Sequence, residues 1–295
     1  MCGINGLVIL NKSIGFNPRK IIKEMNFSLK HRGPDNDGFW NQDNVFLGHR
    51  RLSILDLSNK SNQPMKIDNL VLTFNGEIYN YIELRKILER EGFRFKTSGD
   101  TEVLINAFKF FGTNLCKYLN GMFSFAIYDI KKKQLFLARD PSGQKPLFFY
   151  KNDKSFIFSS ELKSIVNSKI DNFRLNQRAV YQYLAYGHTI SPDSMVVGVK
   201  KLEPGTYLNL DLDSRTYKIK RYFNYKFHKK SNKPLSYYNS KFNKIFTNSI
   251  KRHFRSDVPS AVYLSSGIDS TSILCELASQ SSNTQINTIT AKFEE

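Results

Sequence analysis

Apolar residues over the first 112 positions alternate between strand-like runs and helix-like spacing. Consecutive apolar residues predict buried strands, and apolar residues three and four positions apart predict helices with one buried face. Glycines at the ends of two of these helices are typical C-terminal caps. The predicted segments are a strand at 3–10, a helix from Pro18 to about 29, a strand at 70–74 that Asn75-Gly76 interrupts, a helix ending near Gly92, and a helix from about Asp100 to Gly112.

Period-two alternation begins at Gly121 and predicts antiparallel strands. Phe123, Phe125 and Ile127 alternate with smaller or more polar residues, and the lysines at 131–133 predict the tip of a hairpin. The region up to residue 224 therefore mixes helices with antiparallel strands. Its remaining predicted segments are strands at 147–150, 156–159, 205–210 and 217–222, and helices at 161–166 and 177–186.

A polar segment at 225–236 predicts a linker between two domains. It is rich in Lys, Asn and Ser and contains the run His228-Lys229-Lys230. Beyond it, apolar residues between 242 and 254 have helical spacing, and runs at 261–264 and 286–290 predict strands. We therefore expect one domain at 1–224 and a second at 237–295.

Composition and charge narrow the function classes. The chain of 295 residues is 40% hydrophobic and 24% charged, as in soluble globular proteins, and contains no apolar run long enough to span a bilayer. No basic stretch precedes an apolar segment at the start, so we expect a cytoplasmic protein without a membrane partner. The net charge of +18 favours polyanion binding, but the cations are mixed with 26 acidic residues. We expect no nucleic-acid partner.

The three cysteines do not suggest a shared structural role. Their number is odd and their spacing fits neither a disulfide framework nor a metal site, so we predict no metal ligands among them. Cys116 and Cys275 lie in apolar helical patterns and are expected to be small buried residues.

Cys2 differs because it follows the initiator Met1. Removal of Met1 would place a thiol and a free α-amine on one residue. The α-amine has a pKa of roughly 7.7–8.0 and the thiol one of roughly 8.5, so the amine can accept the thiol proton near neutral pH. The alternative is that Cys2 is an incidental small residue after the start codon.

Ordered motifs accompany Cys2. Together they resemble, in order and spacing, the glutaminase domain of class II glutamine amidotransferases, whose nucleophile is the N-terminal cysteine. The motifs are Met1-Cys2-Gly3-Ile4, His31-Arg32-Gly33-Pro34-Asp35, His49-Arg50-Arg51-Leu52-Ser53-Ile54, Asn62-Gln63-Pro64-Met65, Phe74-Asn75-Gly76-Glu77-Ile78-Tyr79-Asn80, Ser98-Gly99-Asp100-Thr101-Glu102, Gly121-Met122-Phe123-Ser124-Phe125-Ala126 and the run from Arg139 to Leu147.

The resemblance implies a role for each part of the glutamine site. Arg51 would bind the substrate carboxylate with paired donors, and Glu77 and Asp100 would bind its ammonium. The side chain of Asn75 and the N–H of Gly76 would form the oxyanion hole. The remaining implied binding residues are Leu52, Ser53, Ile54 and Leu55. Arg50 stands where the family varies and is expected at the solvated surface, and the turn from His31 to Asp35 is expected to shape the pocket.

A second motif begins where the strand at 261–264 ends. It resembles the pyrophosphate loop of ATP-dependent adenylating enzymes, in which small residues and a helix N-terminus receive phosphates. Ser266 occupies a position at which that family usually has glycine, which reduces backbone freedom. The implied ATP-binding residues are Leu264, Ser265, Ser266, Gly267, Asp269 and Ser270.

The two motifs in this order resemble glutamine-hydrolysing asparagine synthetases. That resemblance implies an α+β fold, a four-layer αββα sandwich of the N-terminal-nucleophile type, followed by the first part of an α/β parallel-sheet nucleotide-binding domain. It also implies glutamine, aspartate and ATP as substrates, with ATP and Mg²⁺ needed for the synthetase half and no cofactor for glutamine hydrolysis. A homodimer is a candidate assembly.

Three alternatives stay open. The acceptor of ammonia could differ from aspartate, because the residues that would decide it are absent from the sequence. A non-catalytic scaffold would keep the fold and release no ammonia. A polyanion-binding protein would show steeply salt-dependent retention on DNA.

An adenylating domain of this type needs on the order of 150 residues, more than the stretch 237–295 provides. We therefore expect this chain to release ammonia from glutamine without making asparagine. The measurement is asparagine formed by the purified chain from aspartate, ATP and glutamine, and ATP-dependent formation of asparagine would contradict the prediction.

Overall fold

The structure, a computed structural model, describes residues 1–11, 15–227, 232–280 and 285–292. The described chain divides into two units, 1–224 and 225–295. The elements, numbered in chain order, are β1 (Gly3–Ile9), α1 (Pro18–Phe27), β2 (Asn36–Gln42), β3 (Val45–Arg51), β4 (Met65–Ile67), β5 (Leu70–Ile78), α2 (Tyr81–Arg90), α3 (Asp100–Phe111), β6 (Gly121–Asp129), β7 (Gln134–Arg139), β8 (Phe148–Lys151), β9 (Ser155–Ser159), α4 (Leu162–Asn167), α5 (Gln177–Tyr186), β10 (Lys200–Lys201), β11 (Thr206–Asp211), β12 (Thr216–Arg221), α6 (Leu235–His253), β13 (Ala261–Tyr263), α7 (Ile268–Gln280) and β14 (Asn287–Ile289).

Two six-stranded antiparallel sheets form the first unit. Sheet A has the strand order β10-β8-β9-β1-β3-β2, and sheet B has the order β12-β11-β7-β6-β5-β4. A buried apolar layer lies between the sheets, a second layer joins sheet A to α1 and α4, and a third joins sheet B to α2 and α3. The four layers are therefore helix, sheet, sheet and helix, and the expected αββα sandwich is confirmed.

The period-two pattern of β6 explains how sheet B joins two of these layers. Phe123, Phe125 and Ile127 pack on the helical side, while Ala126 and Tyr128 pack on the side that faces sheet A. Successive side chains of a strand point to opposite faces, so one strand supports both apolar layers.

The strand that contains Asn75 and Gly76 was expected to stop before them, and this prediction is wrong. β5 continues to Ile78 and stays paired with β6, with Asn75 opposite Ser124 and Gly76 opposite Phe123. Asn-Gly forms a turn only where the chain reverses, and here the partner strand holds it extended. Gly76 has φ +154°, and a Cβ there would lie 2.0 Å from the carbonyl oxygen of Met122, so glycine permits the close approach.

The spacing of apolar residues did not reveal β2, β3 or β4. β2 is half-buried and polar, and β4 has only three residues. All seven residues of β3 are buried although the strand ends with His49, Arg50 and Arg51. A hydrophobic pattern cannot find a strand whose buried end is polar.

The cysteine predictions have opposite outcomes. Cys116 is buried beneath α3, as expected. Cys275 is exposed, so the prediction that it is buried is wrong. The reason is that α7 buries only Leu277, and helical spacing alone did not show which face packs.

The second unit contains a strand-helix-strand segment. β13 and β14 are parallel neighbours, α7 connects them in sequence, and Ile250, Val262 and Leu277 form a small core. α6 begins at Leu235, inside the segment expected to be a linker, and the run 228–230 lies outside the described residues. No described helix in either unit combines the length and apolar character needed to cross a bilayer.

The Phe-rich layer beneath α2 and α3 supplies a stability test. Phe125 is fully buried, with its ring 5.5 Å from that of Phe123. We expect Phe125→Ala to lower the free energy of unfolding by about 3–5 kcal/mol, because it removes apolar contacts and leaves a cavity. Phe27 is 68% exposed, so Phe27→Ala is the matched control and should change stability by no more than ~0.5 kcal/mol. Urea denaturation of the three proteins measures both changes, and equal losses would contradict the prediction.

Candidate active site

One cavity of about 260 Å³ gathers nine of the ten residues that the sequence assigns to glutamine binding and hydrolysis. Its volume suits a ligand of amino-acid size rather than a larger one. The nine residues are Cys2, Arg51, Leu52, Ile54, Leu55, Asn75, Gly76, Glu77 and Asp100. The tenth, Ser53, does not line the cavity, and its N–H donates to Asp35 at 2.7 Å.

The pairing of the sheets brings these residues together. Cys2 immediately precedes β1, which pairs with β3 so that Gly3 faces Arg50. Across the sandwich, β5 carries Asn75, and Nε2 of His49 donates to the carbonyl of Phe74 at 3.0 Å. Burial lowers the pKa of His49 to about 3, so this ring is neutral and acts as a fixed donor between the sheets.

The thiol of Cys2 lies against the segment that follows β3. The N–H of Leu52 approaches Sγ at 3.4 Å, and Nε of Arg32 donates to the Cys2 carbonyl at 2.9 Å. Burial raises the pKa of the thiol, while the N–H of Leu52 opposes this shift because it favours the thiolate. Arg32 also pairs with Glu161 at 2.9 Å, which links Cys2 to the segment between β9 and α4.

Asn75 presents an unused donor to the cavity. Its side chain is completely buried, and neither Nδ2 nor Oδ1 has a hydrogen-bond partner within the described structure. A buried amide without a partner is costly, and such a group is expected where a ligand supplies the missing partner. Gly76 follows it in the strand and lines the same cavity.

Arg51 is buried and anchors the loop that follows it. Nη1 donates to the Ser58 carbonyl at 2.9 Å and to Oδ1 of Asn62 at 2.7 Å, and Nη2 donates to the carbonyls of Leu55 and Asp56. All these partners are neutral acceptors. These four acceptors use all the Nη hydrogens, so the paired donors expected for a substrate carboxylate are engaged within the chain. Among the described residues no carboxylate lies within ion-pair distance of this guanidinium, so its positive charge is not neutralised by an ion pair.

Asp100 and Glu77 form the acidic side of the cavity. Asp100 begins α3, and its Oδ2 accepts the N–H of Ile78 at 2.9 Å. Burial, helped by the charge of Glu77, raises the pKa of Asp100 to about 7. A cationic ligand beside Asp100 would favour its ionised form.

The turn around Gly33 packs behind the strand that carries Arg51, and none of residues 31–35 lines the cavity itself. A Cβ at Gly33 would lie 2.4 Å from the backbone of Arg50, and the N–H of Asp35 donates to the Arg51 carbonyl at 3.0 Å. The expectation that Arg50 lies at the solvated surface is wrong. It is buried, donates to the Asn26 carbonyl at 3.2 Å and pairs with Asp37 at 3.2 Å, because β2 and α1 cover this end of β3.

Six lining residues were not assigned to the site from the sequence. They are Met1, Gln63, Phe74, Thr101, Met122 and Lys145. All six occur within the quoted motifs, which was the available signal. Gln63 shows why they matter, since its Oε1 accepts the N–H of Phe74 at 2.7 Å and so fixes the residue before Asn75.

The second predicted site lies in the second unit. The loop after β13 has small, exposed residues at 265–267, and α7 begins directly after it. Oγ of Ser265 accepts the N–H of Gly267 at 3.2 Å and lies 3.0 Å from Oγ of Ser270. Exposed N–H groups and hydroxyls at a helix N-terminus fit phosphate oxygens. Among the described residues, no group of three His, Cys, Asp or Glu side chains could hold a metal ion.

Comparison with protein families matches both units. A glutamine amidotransferase domain family matches residues 1–223, and an asparagine synthase family matches residues 241–295. Asparagine synthetase [glutamine-hydrolyzing] 1 of Bacillus subtilis is 36% identical over 93% of this chain and 43% of its own. A Methanocaldococcus jannaschii protein, provisionally named as an asparagine synthetase, is 36% identical over 100% of this chain and 60% of its own. The chain therefore spans about half the length of these relatives.

More distant relatives and solved structures add to this comparison. A Gibberella zeae protein named amidase chry2 is 30% identical over 92% of this chain and 42% of its own. The glutamine phosphoribosylpyrophosphate amidotransferase of B. subtilis has a TM-score of 0.56 at 22% identity, over 75% of this chain and 49% of its own. At that identity the structural likeness establishes the fold.

The raised pKa of Asp100 leads to a prediction about stability. The pKa is about 7 in the folded protein against 3.8 for the free side chain, so the folded state binds this proton more tightly. The contribution of Asp100 to stability therefore falls as pH rises from about 4 through 7. We expect Asp100→Asn to raise the urea midpoint at pH 8 relative to wild type and to have little effect at pH 4, measured by far-UV circular dichroism. An equal change at both pH values would show that ionisation of Asp100 is not the cause.

Proposed function

Since the chain belongs to the glutamine amidotransferase family, we propose that residues 1–224 hydrolyse glutamine to glutamate and ammonia with the thiol of Cys2. One observation carries this proposal. The thiol and the unpaired amide of Asn75 line the same small cavity, which has a buried guanidinium at Arg51 and a buried carboxyl at Asp100. A nucleophile, an oxyanion donor and opposite charges for the two ends of an amino acid are therefore combined.

Substrate binding uses the two charged sides. The guanidinium of Arg51 attracts the α-carboxylate of glutamine. Asp100 and Glu77 attract the α-ammonium, and this cation keeps Asp100 ionised although burial alone raises its pKa. The side-chain amide of glutamine then extends toward Cys2.

The reaction begins after removal of Met1. The free α-amine of Cys2 takes the thiol proton, and the thiolate attacks the side-chain carbonyl carbon of glutamine. Nδ2 of Asn75 and the N–H of Gly76 stabilise the oxyanion. Collapse of this intermediate breaks the C–N bond, the α-ammonium returns its proton to the departing nitrogen, and ammonia leaves. Water then hydrolyses the thioester to glutamate and restores the thiol.

The use of ammonia is a proposal about the whole protein. The match of residues 241–295 to the asparagine synthase family supports transfer to aspartate activated by ATP. In the second unit, Ser265, Gly267 and Ser270 would hold the pyrophosphate of ATP. Mg²⁺ would enter with the nucleotide, because it is usually held by nucleotide phosphates and one or two carboxylates. Asp269 is the carboxylate of this segment. The alternative is an ammonia acceptor other than aspartate, since one related protein is named amidase chry2 rather than asparagine synthetase.

Ammonia release by the wild-type chain and by Cys2→Ala tests the glutaminase. We expect Cys2→Ala to lower glutamate formation by at least ~10⁴-fold, because no other group supplies the nucleophile. Cys275→Ala is the matched control, since it removes an exposed thiol from the second unit, and it should leave the rate unchanged. Mass spectrometry should show that Met1 is absent from the active protein.

Two results would contradict this proposal. A wild-type chain that is folded and lacks Met1 but releases no ammonia would favour the non-catalytic scaffold. Activity in a chain that retains Met1 would exclude the α-amine of Cys2 as the base, because that nitrogen would be an amide.

A further inference from the structure

Lys145 places a buried ammonium at the wall of the glutaminase cavity. The residue is only 5% exposed and lines the cavity together with Cys2 and Glu77. Its backbone is held at both ends, because its N–H donates to Asp140 at 2.9 Å and its carbonyl accepts Nε of Arg139 at 2.9 Å. The position of this lysine is therefore set by the turn after β7.

Asp140 gives this turn its rigidity. Its fully buried carboxylate accepts the N–H of Ser142 at 3.0 Å and that of Gln144 at 2.9 Å, in addition to the N–H of Lys145. All of these bonds go to the backbone, so they position the lysine without holding its side-chain nitrogen.

The ammonium of Lys145 lacks the partner that a buried cation normally has. No carboxylate in the described parts of the chain lies within 4.0 Å of it, whereas the neighbouring Arg32 pairs with Glu161 at 2.9 Å. Burial lowers the pKa of Lys145, and the charge of Glu77 opposes that shift and so favours the cation. A buried charge without an ion pair destabilises the fold, which calls for a functional reason to keep it.

Charged groups of both signs surround Cys2. The ammonium of Lys145 therefore has an effect of definite sign only on the proton equilibria of the reacting groups. The positive groups are Arg32, Arg51 and Lys145, and the negative or titratable groups are Asp35, Glu77, Asp100 and Asp140. Burial lowers the pKa of the N-terminal amine, and Arg32 and Lys145 lower it further. When Met1 is removed, the N-terminal amine is that of Cys2. Arg32 contacts the carbonyl of the same residue.

We propose that Lys145 is an electrostatic positioning residue of the glutaminase, whose buried ammonium favours loss of the first proton from the amine and thiol of Cys2. This inference rests on the proposed function. The inactive acid form carries two protons, one on each group, and the reactive form carries one. A nearby cation favours the release of a proton from this pair whichever group loses it. Lys145 thereby sets the acid limb of the pH dependence of glutamine hydrolysis.

The test compares Lys145→Met with Lys145→Arg in the full chain, using kcat/KM for glutamine between pH 5.5 and 9, a range from roughly two units below the α-amine pKa to roughly one unit above it. We expect the acid limb of Lys145→Met to move up by about one pH unit, with activity recovering toward the wild-type value at high pH. Lys145→Arg should keep the wild-type limb because it keeps the charge. Lys131→Met, at the tip of the β6–β7 hairpin, is the control for loss of a surface lysine and should match wild type.

The profile also identifies a purely structural role. If Lys145→Met lowers kcat/KM equally at every pH, or if its acid limb matches wild type, the proposal is overturned. The proposal is also overturned if the acid limb of Lys145→Arg moves away from the wild-type position, since the charge would then not determine it.

A second readout does not depend on turnover. The rate of Cys2 alkylation by iodoacetamide is measured against pH in a Cys275→Ser background, in which Cys116 is buried and protected. We expect the midpoint to rise by about one unit in Lys145→Met and to stay unchanged in Lys145→Arg. If the wild-type chain releases no ammonia but the midpoint still moves, the proposed function fails and the electrostatic role of Lys145 stands. If ammonia is released and the midpoint does not move, this inference alone fails.

Discussion

The packing of one antiparallel sheet against the other sets the relative positions of Cys2, Arg51, Asn75 and Glu77 in the candidate site. Ile4, Leu47 and Phe158 of sheet A meet Val71, Ala126 and Leu137 of sheet B in a buried apolar layer between the two sheets. This layer fixes the separation of the sheets, because closely packed apolar side chains allow little movement. Cys2 and Arg51 are supported by sheet A and Asn75 and Glu77 by sheet B. The positions of Cys2 and Asn75 therefore depend on a core to which neither residue belongs.

The same interior changes from apolar to polar at the end where the cavity opens. His49, Thr73 and Asn75 continue the inward-facing positions of Leu47 and Val71, yet all three are fully buried. The cost of desolvating such groups appears as the lowered pKa of His49 and the raised pKa values of Cys2 and Asp100. Stability supplied by the Phe-rich layers elsewhere offsets this cost, as is usual at functional sites.

The elements with a regular apolar period could be predicted, and those whose buried residues are polar could not. The alternation of Phe123, Phe125 and Ile127 identified β6 because each residue faces a layer of apolar neighbours. β3 was not predicted because its final residues, His49 to Arg51, are polar although they are buried. Arg50 was misjudged for the same reason, since only the positions of β2 and α1 show what covers it.

The site itself was predictable as a set of residues but not as an arrangement. Nine of the residues assigned from the ordered motifs line one cavity in the structure. They did not reveal that Arg51 also anchors the loop from 55 to 62, or that Asn75 lacks a partner, because both facts depend on atoms from distant parts of the chain. Lys145 was not assigned to the site from the sequence, because its burial follows from the bonds that Asp140 makes in the folded chain.

Met1 occupies a position whose consequence extends to the maturation of the protein. Its side chain lines the cavity, and its Sδ lies 3.9 Å from Nη2 of Arg32. Any residue retained in front of Cys2 would take up part of the space meant for a small ligand and would convert the α-amine into an amide. Under the proposed mechanism, removal of the initiator would act as an activation switch, and an affinity tag fused ahead of Cys2 would yield a folded protein without the α-amine that the reaction uses.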